Sequence, residues 1–200
     1  MACVGHRERL LEGARECLHE KGYAATTARD IVSASDTNLA SIGYHFGSKE
    51  ALLQEAIMDG FREWTEFLAR ATFAAADAPP DQRLRTSWRL MLESFEPNRS
   101  LLVAWVESLA PALRSPELRD QLAEHLRESR AAVRAMVEAA LGDTGADTQA
   151  IASFLMAVCD GLVIQWLVEP DATPTGDELI DALGSAAESL LALAGERRGS

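Results

Sequence analysis

The sequence predicts an all-α protein of about nine helices in two units, a small N-terminal one and a larger C-terminal one. Three observations carry that expectation. Apolar residues recur at spacings of three and four almost throughout, the mark of helices with one buried stripe, and no stretch alternates as a half-buried strand would. Residues that cap or stop helices punctuate the chain at intervals of helical length. The chain of 200 residues is about half apolar and one quarter charged, enough to bury a core.

The first helix is expected from about His6 to Lys21, with Leu11, Ala14 and Leu18 on one face and Gly22 as its C-terminal cap. Thr27 is placed to N-cap a second helix ending near Ala34, and Asn38 a third, short one ending near Phe46. Ser48 can cap the fourth. Its stripe of Leu53, Ile57, Gly60, Phe61, Trp64, Phe67, Leu68 and Ala71 runs until Pro79-Pro80 stops it, so this helix leaves the N-terminal unit and enters the second. Five more fit 81–95, 100–113, 116–141, 147–168 and 176–194, with Pro97, Pro116, Gly142-Asp143 and the run Pro170 to Pro174 as breaks.

The last two helices are apolar over most of their circumference, and such helices must bury both faces. A four-helix interface between two symmetric subunits satisfies this, with Phe154, Val158, Leu162, Trp166, Leu183 and Leu190 as interface residues. A central core helix is the alternative. Asp160 and Gln165 interrupt the eighth helix and need polar partners, across a dimer or as a cap in preference to a ligand; Glu107 is comparable.

No apolar run reaches the roughly 18 to 20 residues of a membrane span, because Asp160 divides the longest candidates, and the start lacks an apolar secretory core. The three cysteines are odd in number and far apart, which argues against disulfides or a zinc cluster; a cytoplasmic protein with no membrane partner is expected. His125, with Glu124 and Glu128 on one helix, reads as a surface cluster. The sequence holds no HExxH, GxSxG, phosphate-cradling glycine loop or paired-cysteine motif, so no catalytic residue, metal site or cofactor is expected.

Residues 26–50, TTARDIVSASDTNLASIGYHFGSKE, can form two short helices joined by a tight turn, followed by the mouth of the fourth helix. Such a unit can lay its second helix across a DNA backbone, set its third in the major groove and begin its fourth near the phosphates. Helix N-termini at Thr27 and Ser48 offer amides to anions, Lys49 adds a charge there, and Tyr44 and His45 supply hydrogen-bonding groups. Thr37, Asn38, Leu39, Ala40 and Ser41 would read bases, with Arg29 reaching from the second helix, since arginine suits bidentate contact with guanine. Charge resists this reading. The chain is at −12; residues 1–55 hold six basic against eight acidic side chains, so the acidity lies mostly beyond them. DNA contact must rest on a few placed groups rather than a broad positive field.

The segments KGYAATTARDI, IGYHFGSKE and the following ALL resemble the tetracycline-repressor (TetR) family of bacterial transcription regulators, over Leu10 to about Ile57. The resemblance implies a helix-turn-helix DNA-binding domain over 1–50 and a helical ligand-binding and dimerisation domain over 51–200. It implies phosphate contacts from Thr27, Tyr44, His45 and Lys49 and base contacts from Arg29 and the start of the third helix. It also implies a homodimeric repressor on double-stranded, pseudo-palindromic operator DNA, released by a small molecule. Trp64, Phe67, Trp88, Met91, Phe95, Trp105 and Leu109 fall where the family lines a ligand cavity, and aromatic walls suit an apolar or aromatic effector. Three positions depart from the family. Asp36 stands at the turn glycine, Thr37 at an inward apolar site where its hydroxyl needs a partner, and Gly43 at a frequent aromatic. A sensor or protein-binding module of the same fold with weakened DNA binding is the alternative, and a helical enzyme has no residues to support it.

Overall fold

The computed structural model describes residues 5–74, 78–141 and 145–196. It contains α1 (His6–Ala25), α2 (Ala28–Ala34), α3 (Leu39–Phe46), α4 (Lys49–Ala74), α5 (Pro80–Glu93), α6 (Arg99–Arg114), α7 (Pro116–Leu141), α8 (Thr148–Val168) and α9 (Gly176–Glu196). A short 3-10 turn, Pro170–Ala172, follows α8, and the described residues include no strand.

The N-terminal unit is built by local chemistry that agrees with its packing. Leu10, Ala14, Leu18, Ile31 and Ile42 form its core together with Leu52 and Leu53 from α4. Gly22, at φ 76° and ψ 175°, breaks the regular helix before α1 ends. Beyond it the buried Thr26 turns its hydroxyl back to the carbonyl of Gly22 at 2.6 Å, holding the junction that leads into α2. At α2 the Thr27 hydroxyl accepts from the Asp30 amide while the Asp30 carboxylate accepts from the Thr27 amide at 2.8 Å, a reciprocal capping box. The Asn38 side chain accepts from the Ser41 amide at 3.1 Å and the Ser48 hydroxyl from the Ala51 amide at 3.0 Å, so α3 and α4 start where their caps stand.

The turn between α2 and α3 shows how two of the departures are accommodated. Asp36 takes φ 48°, the left-handed conformation glycine would take without strain. The Ser35 hydroxyl donates to the Ile31 carbonyl at 2.7 Å, which leaves the Thr37 hydroxyl to donate to Ser35 Oγ, also at 2.7 Å. Thr37 therefore has its partner.

In the C-terminal unit Trp64, Phe95 and Trp166 stack edge to face, with centroids 6.0 and 5.6 Å apart, and tie α4, α5–α6 and α8 together. α8 lies on α7 and α6, whereas α9 packs on α5 rather than on α8. A Cβ on Gly176 would come within 2.6 Å of the Arg89 amide nitrogen, so glycine permits the approach of α9 to α5. The expected interface residues divide accordingly. Leu162 and Trp166 are buried within the subunit, which corrects their assignment as interface residues, and Val158 and Leu183 are partly buried against the core. Phe154 is exposed, together with Ile164 and Val168 on the same helix. The side chain of Leu190 lies outside the described residues. A helix apolar on all sides carries no signal of which side faces home.

One expectation about spans is corrected. Thr148–Val168 is long and apolar enough to cross a membrane by length and composition, because Asp160 is its only charge. In this fold it packs along α7 and α6 and contributes Leu162, Val163 and Trp166 to the core.

Candidate nucleic-acid interface and effector cavity

The open face of α3 carries Leu39, Ala40, Gly43 and Tyr44, which fall one turn apart and are all exposed. Leu39 is half exposed and Tyr44 is 85% exposed, so both side chains are open to a partner on this face. Apart from its chain neighbours and the backbone of α3 itself, nothing lies within 4 Å of where a Cβ on Gly43 would be, so the third departure opens the helix backbone to whatever approaches this face. An apolar contact from Leu39 suits a thymine methyl group.

The remaining sequence-predicted residues are placed as follows. Arg29 is exposed and has no hydrogen-bond or ion-pair partner among the described residues. The Asn38 carbonyl oxygen is held by Ser41, leaving its amide NH2 free to face outward. Ser41 is buried, its hydroxyl donating to Asn38 Oδ1 and lying 3.3 Å from His6 Nδ1, which corrects its assignment as a base reader. It sits one residue past the outer face of α3, and helical rotation turns it inward. His45 is half-buried, with its ring edge-on to Tyr44 at 4.9 Å.

The groups expected at phosphates are more committed within the subunit than their sequence suggests. Lys49 Nζ donates to the Thr26 carbonyl at 2.9 Å and sits 3.4 Å from Glu50, tying the start of α4 to the α1–α2 junction. An ammonium has three protons, so donors remain for a phosphate. The Thr27 hydroxyl donates to Asp30 Oδ2 at 2.6 Å, and its phosphate contact would require that proton to turn outward. Lys21, 2.5 Å from Asp30, and the Thr27 hydroxyl and amide hold the Asp30 carboxyl far below the usual carboxylate range.

A cavity of about 430 Å³ opens within the C-terminal unit between α4, α5, α6, α7 and α8. Four expected residues, Trp64, Trp88, Met91 and Trp105, line it. Three others do not. Phe95 is wholly buried between Trp64 and Trp166, Leu109 packs on the core, and Phe67 lies along a separate, more open groove with Gly60 and Leu90. Helical spacing placed these three on the right helices but could not say which side the cavity lay on.

Phe61, Asp81, Arg83, His125, Cys159 and Asp160 are also among the residues of the wall, and the surface reading of His125 is thereby overturned. His125 continues the buried stripe of Leu118 and Leu122 one turn on, a signal visible in the sequence but outweighed by its acidic neighbours. Its ring lies 6.0 Å from that of Phe61, Nε2 lies 3.2 Å from the Ser129 hydroxyl, and Nδ1 is buried without a partner. Burial, reinforced by the charge of Arg62, lowers its pKa to about 4, so the imidazole in the wall is neutral. Burial also raises the Asp160 carboxyl, and burial with the Asp160 charge pushes the Cys159 thiol up to about 12.

The two units meet at Glu107 on α6. Its Oε2 accepts from the amides of Tyr23 at 3.0 Å and Ala24 at 3.3 Å, just past the break at Gly22. Trp105, two residues earlier on α6, lines the cavity. The polar partner that Glu107 required is thus the end of α1.

Residues 10–56 match the family model for bacterial regulatory proteins of the tetR family, and residues 80–192 match the C-terminal domain of BetI-type transcriptional repressors. The chain is 28% identical over 180 residues to the HTH-type transcriptional regulator TtgR of Pseudomonas putida, spanning 83% of this chain and 82% of that one. It is 25% identical over 161 residues to the HTH-type transcriptional regulator BetI of Burkholderia thailandensis, spanning 80% of each. The fold is similar to that of the multidrug binding protein EbrR in complex with proflavin, with a TM-score of 0.63 at 24% identity over 90% of this chain and 99% of that one.

Proposed function

Because the chain belongs to the TetR family of transcription regulators, of repressor type, we propose that it binds a pseudo-palindromic operator as a homodimer and is released by a small aromatic effector. The exposed α3 face of Leu39, Ala40, Gly43 and Tyr44 is the observation that carries the DNA half of this reading. Residues 1–50 act as the reading head and 51–200 as the effector and dimerisation unit. Thr37, Asn38, Leu39 and Ala40 approach base edges with Arg29, while Thr27, Tyr44, His45 and Lys49 approach phosphates.

The exposed apolar residues Phe154, Ile164 and Val168 support a dimer built on the outer face of α8. Coupling follows from connectivity. α4 carries Phe61 and Trp64 of the cavity wall and Lys49 of the head, and α6 carries Trp105 and Glu107. An effector that fits better when these helices shift favours the released form by its difference in affinity for the two forms. The complex of EbrR with proflavin, a protein of this fold holding a small molecule, supports an effector role for the cavity. The family is one of regulators, and the cavity is accordingly read as a binding site.

Selection of bound sequences from random duplex DNA tests the proposal. Wild type should enrich a two-half-site motif, and the Lys49→Ala, Tyr44→Ala double variant should bind it more weakly with a salt slope reduced by about one phosphate contact. Absence of enrichment by wild type at low salt would sink operator binding. Light scattering showing a monomer at micromolar concentration would remove the two-headed arrangement.

A further inference from the structure

The helix expected in the groove has few side chains that can hydrogen-bond to a base. α3, LASIGYHF, holds no Asp, Glu, Asn, Gln, Lys or Arg, and its open face begins with Leu39 and Ala40 and has no side chain at Gly43. Ser41 is buried with its hydroxyl on Asn38 Oδ1, and the Thr37 hydroxyl is engaged by Ser35 at 2.7 Å. Tyr44 and His45 lie further on, where they are read as phosphate contacts. Leu39 is 52% exposed and takes no part in the core.

In the major groove each base pair presents hydrogen-bond donors and acceptors, and thymine adds a C5-methyl group. Aliphatic side chains can pair with none of the donors or acceptors, so the methyl is the feature that Leu39 and Ala40 can recognise. Their face is graded in height. Gly43 has no side chain and Ala40 only a methyl, so Leu39 projects beyond both and the bare backbone lets the helix seat closely. Covering a methyl group that otherwise stays in water strengthens binding about fourfold. A symmetric dimer gains this at both half-sites, about sixteenfold in all.

We infer that each operator half-site presents a thymine to Leu39 and is selected there by its C5-methyl group, with Ala40 and Gly43 giving the clearance for that contact. Hydrogen-bond readout then falls to groups outside α3, the Arg29 guanidinium on α2 and the Asn38 amide at the cap. The inference rests on the reading of residues 1–50 as a DNA-reading head.

Fluorescence anisotropy at fixed salt, with the full-length protein and the operator selected from random duplex DNA, tests it. Each thymidine of a half-site is replaced in turn by deoxyuridine, which removes the methyl and leaves every hydrogen-bonding edge intact. Wild type should lose about fourfold in affinity at one position, and about sixteenfold when its symmetry mate is changed too. Leu39→Ala should lose less than about twofold at that position. It should bind the deoxyuridine duplex about as tightly as wild type does, which also reports that α3 is folded. A selected motif without thymine, no position where deoxyuridine costs wild type more than about twofold, or a full penalty kept in Leu39→Ala overturns the inference. Should Leu39→Ala bind too weakly to measure, Leu39→Val decides: a reduced penalty at the same position supports the contact, and an unchanged one removes it. The two readings fail distinguishably. A motif indifferent to deoxyuridine leaves operator binding standing, whereas no motif at all removes both.

Discussion

Replacing His125 by Gln should change how stability depends on pH, by an amount that the structure sets. His125 is buried in the cavity wall, and its pKa is lowered to about 4. In the unfolded chain the same imidazole titrates near 6.5. Between these values the unfolded chain binds a proton that the folded chain refuses, so stability falls as pH falls. The slope approaches about 1.4 kcal/mol per pH unit, and between pH 7.5 and 5.5 the loss amounts to about 1.3 kcal/mol. Gln keeps a polar contact available for Ser129 and cannot titrate. Urea unfolding of wild type and His125→Gln at matched protein concentration, at pH 7.5, 6.5 and 5.5, isolates the imidazole. Other groups shift in both proteins alike, including Asp160, whose raised carboxyl pKa acts in the opposite sense. The difference between the two proteins should swing by about 1.3 kcal/mol in favour of the variant at pH 5.5, a midpoint shift of roughly 0.5 M urea. A difference that stays flat across this range would refute the placement of a neutral, buried His125.

Asp36→Gly should relieve the left-handed φ of 48° and raise stability by about 0.5 kcal/mol, read as a small rise in Tm. It also removes an exposed negative charge from the turn before α3, so operator affinity at low salt should increase; a fall in both quantities would contradict it. Glu107→Ala should deprive the Tyr23 and Ala24 amides of their acceptor. Their hydrogen exchange should accelerate roughly tenfold, for a loss of about 1.4 kcal/mol, while Glu107→Gln stays closer to wild type; unchanged exchange in the alanine variant would dissolve the link between α6 and α1. On α8 the two faces should respond differently. Leu162→Ala should destabilise the fold by about 2–5 kcal/mol, whereas Ile164→Lys should lower the dimer fraction in sedimentation and leave the subunit folded; equal effects on oligomer and fold would remove the distinction.

The sequence by itself determined the helices and their limits, because the interactions that start and stop a helix are local. Thr27 with Asp30, Asn38 with Ser41, Ser48 with Ala51 and the break at Gly22 each join residues within four positions. The same locality made the 26–50 segment legible as a DNA-reading unit, down to the turn at Asp36. What only the tertiary structure decided is which way each side chain faces. Ser41 looks inward, His125 lines a cavity, Leu162 and Trp166 serve the subunit's own core, and Glu107 finds its partner 84 residues away at Tyr23. Periodicity gives a helix its faces but not its neighbours. On a helix as evenly apolar as α8 it gives no preferred face at all. The cavity is the space left when five helices cross, so the residues that line it are set by how those helices pack and not by the pattern of any one of them.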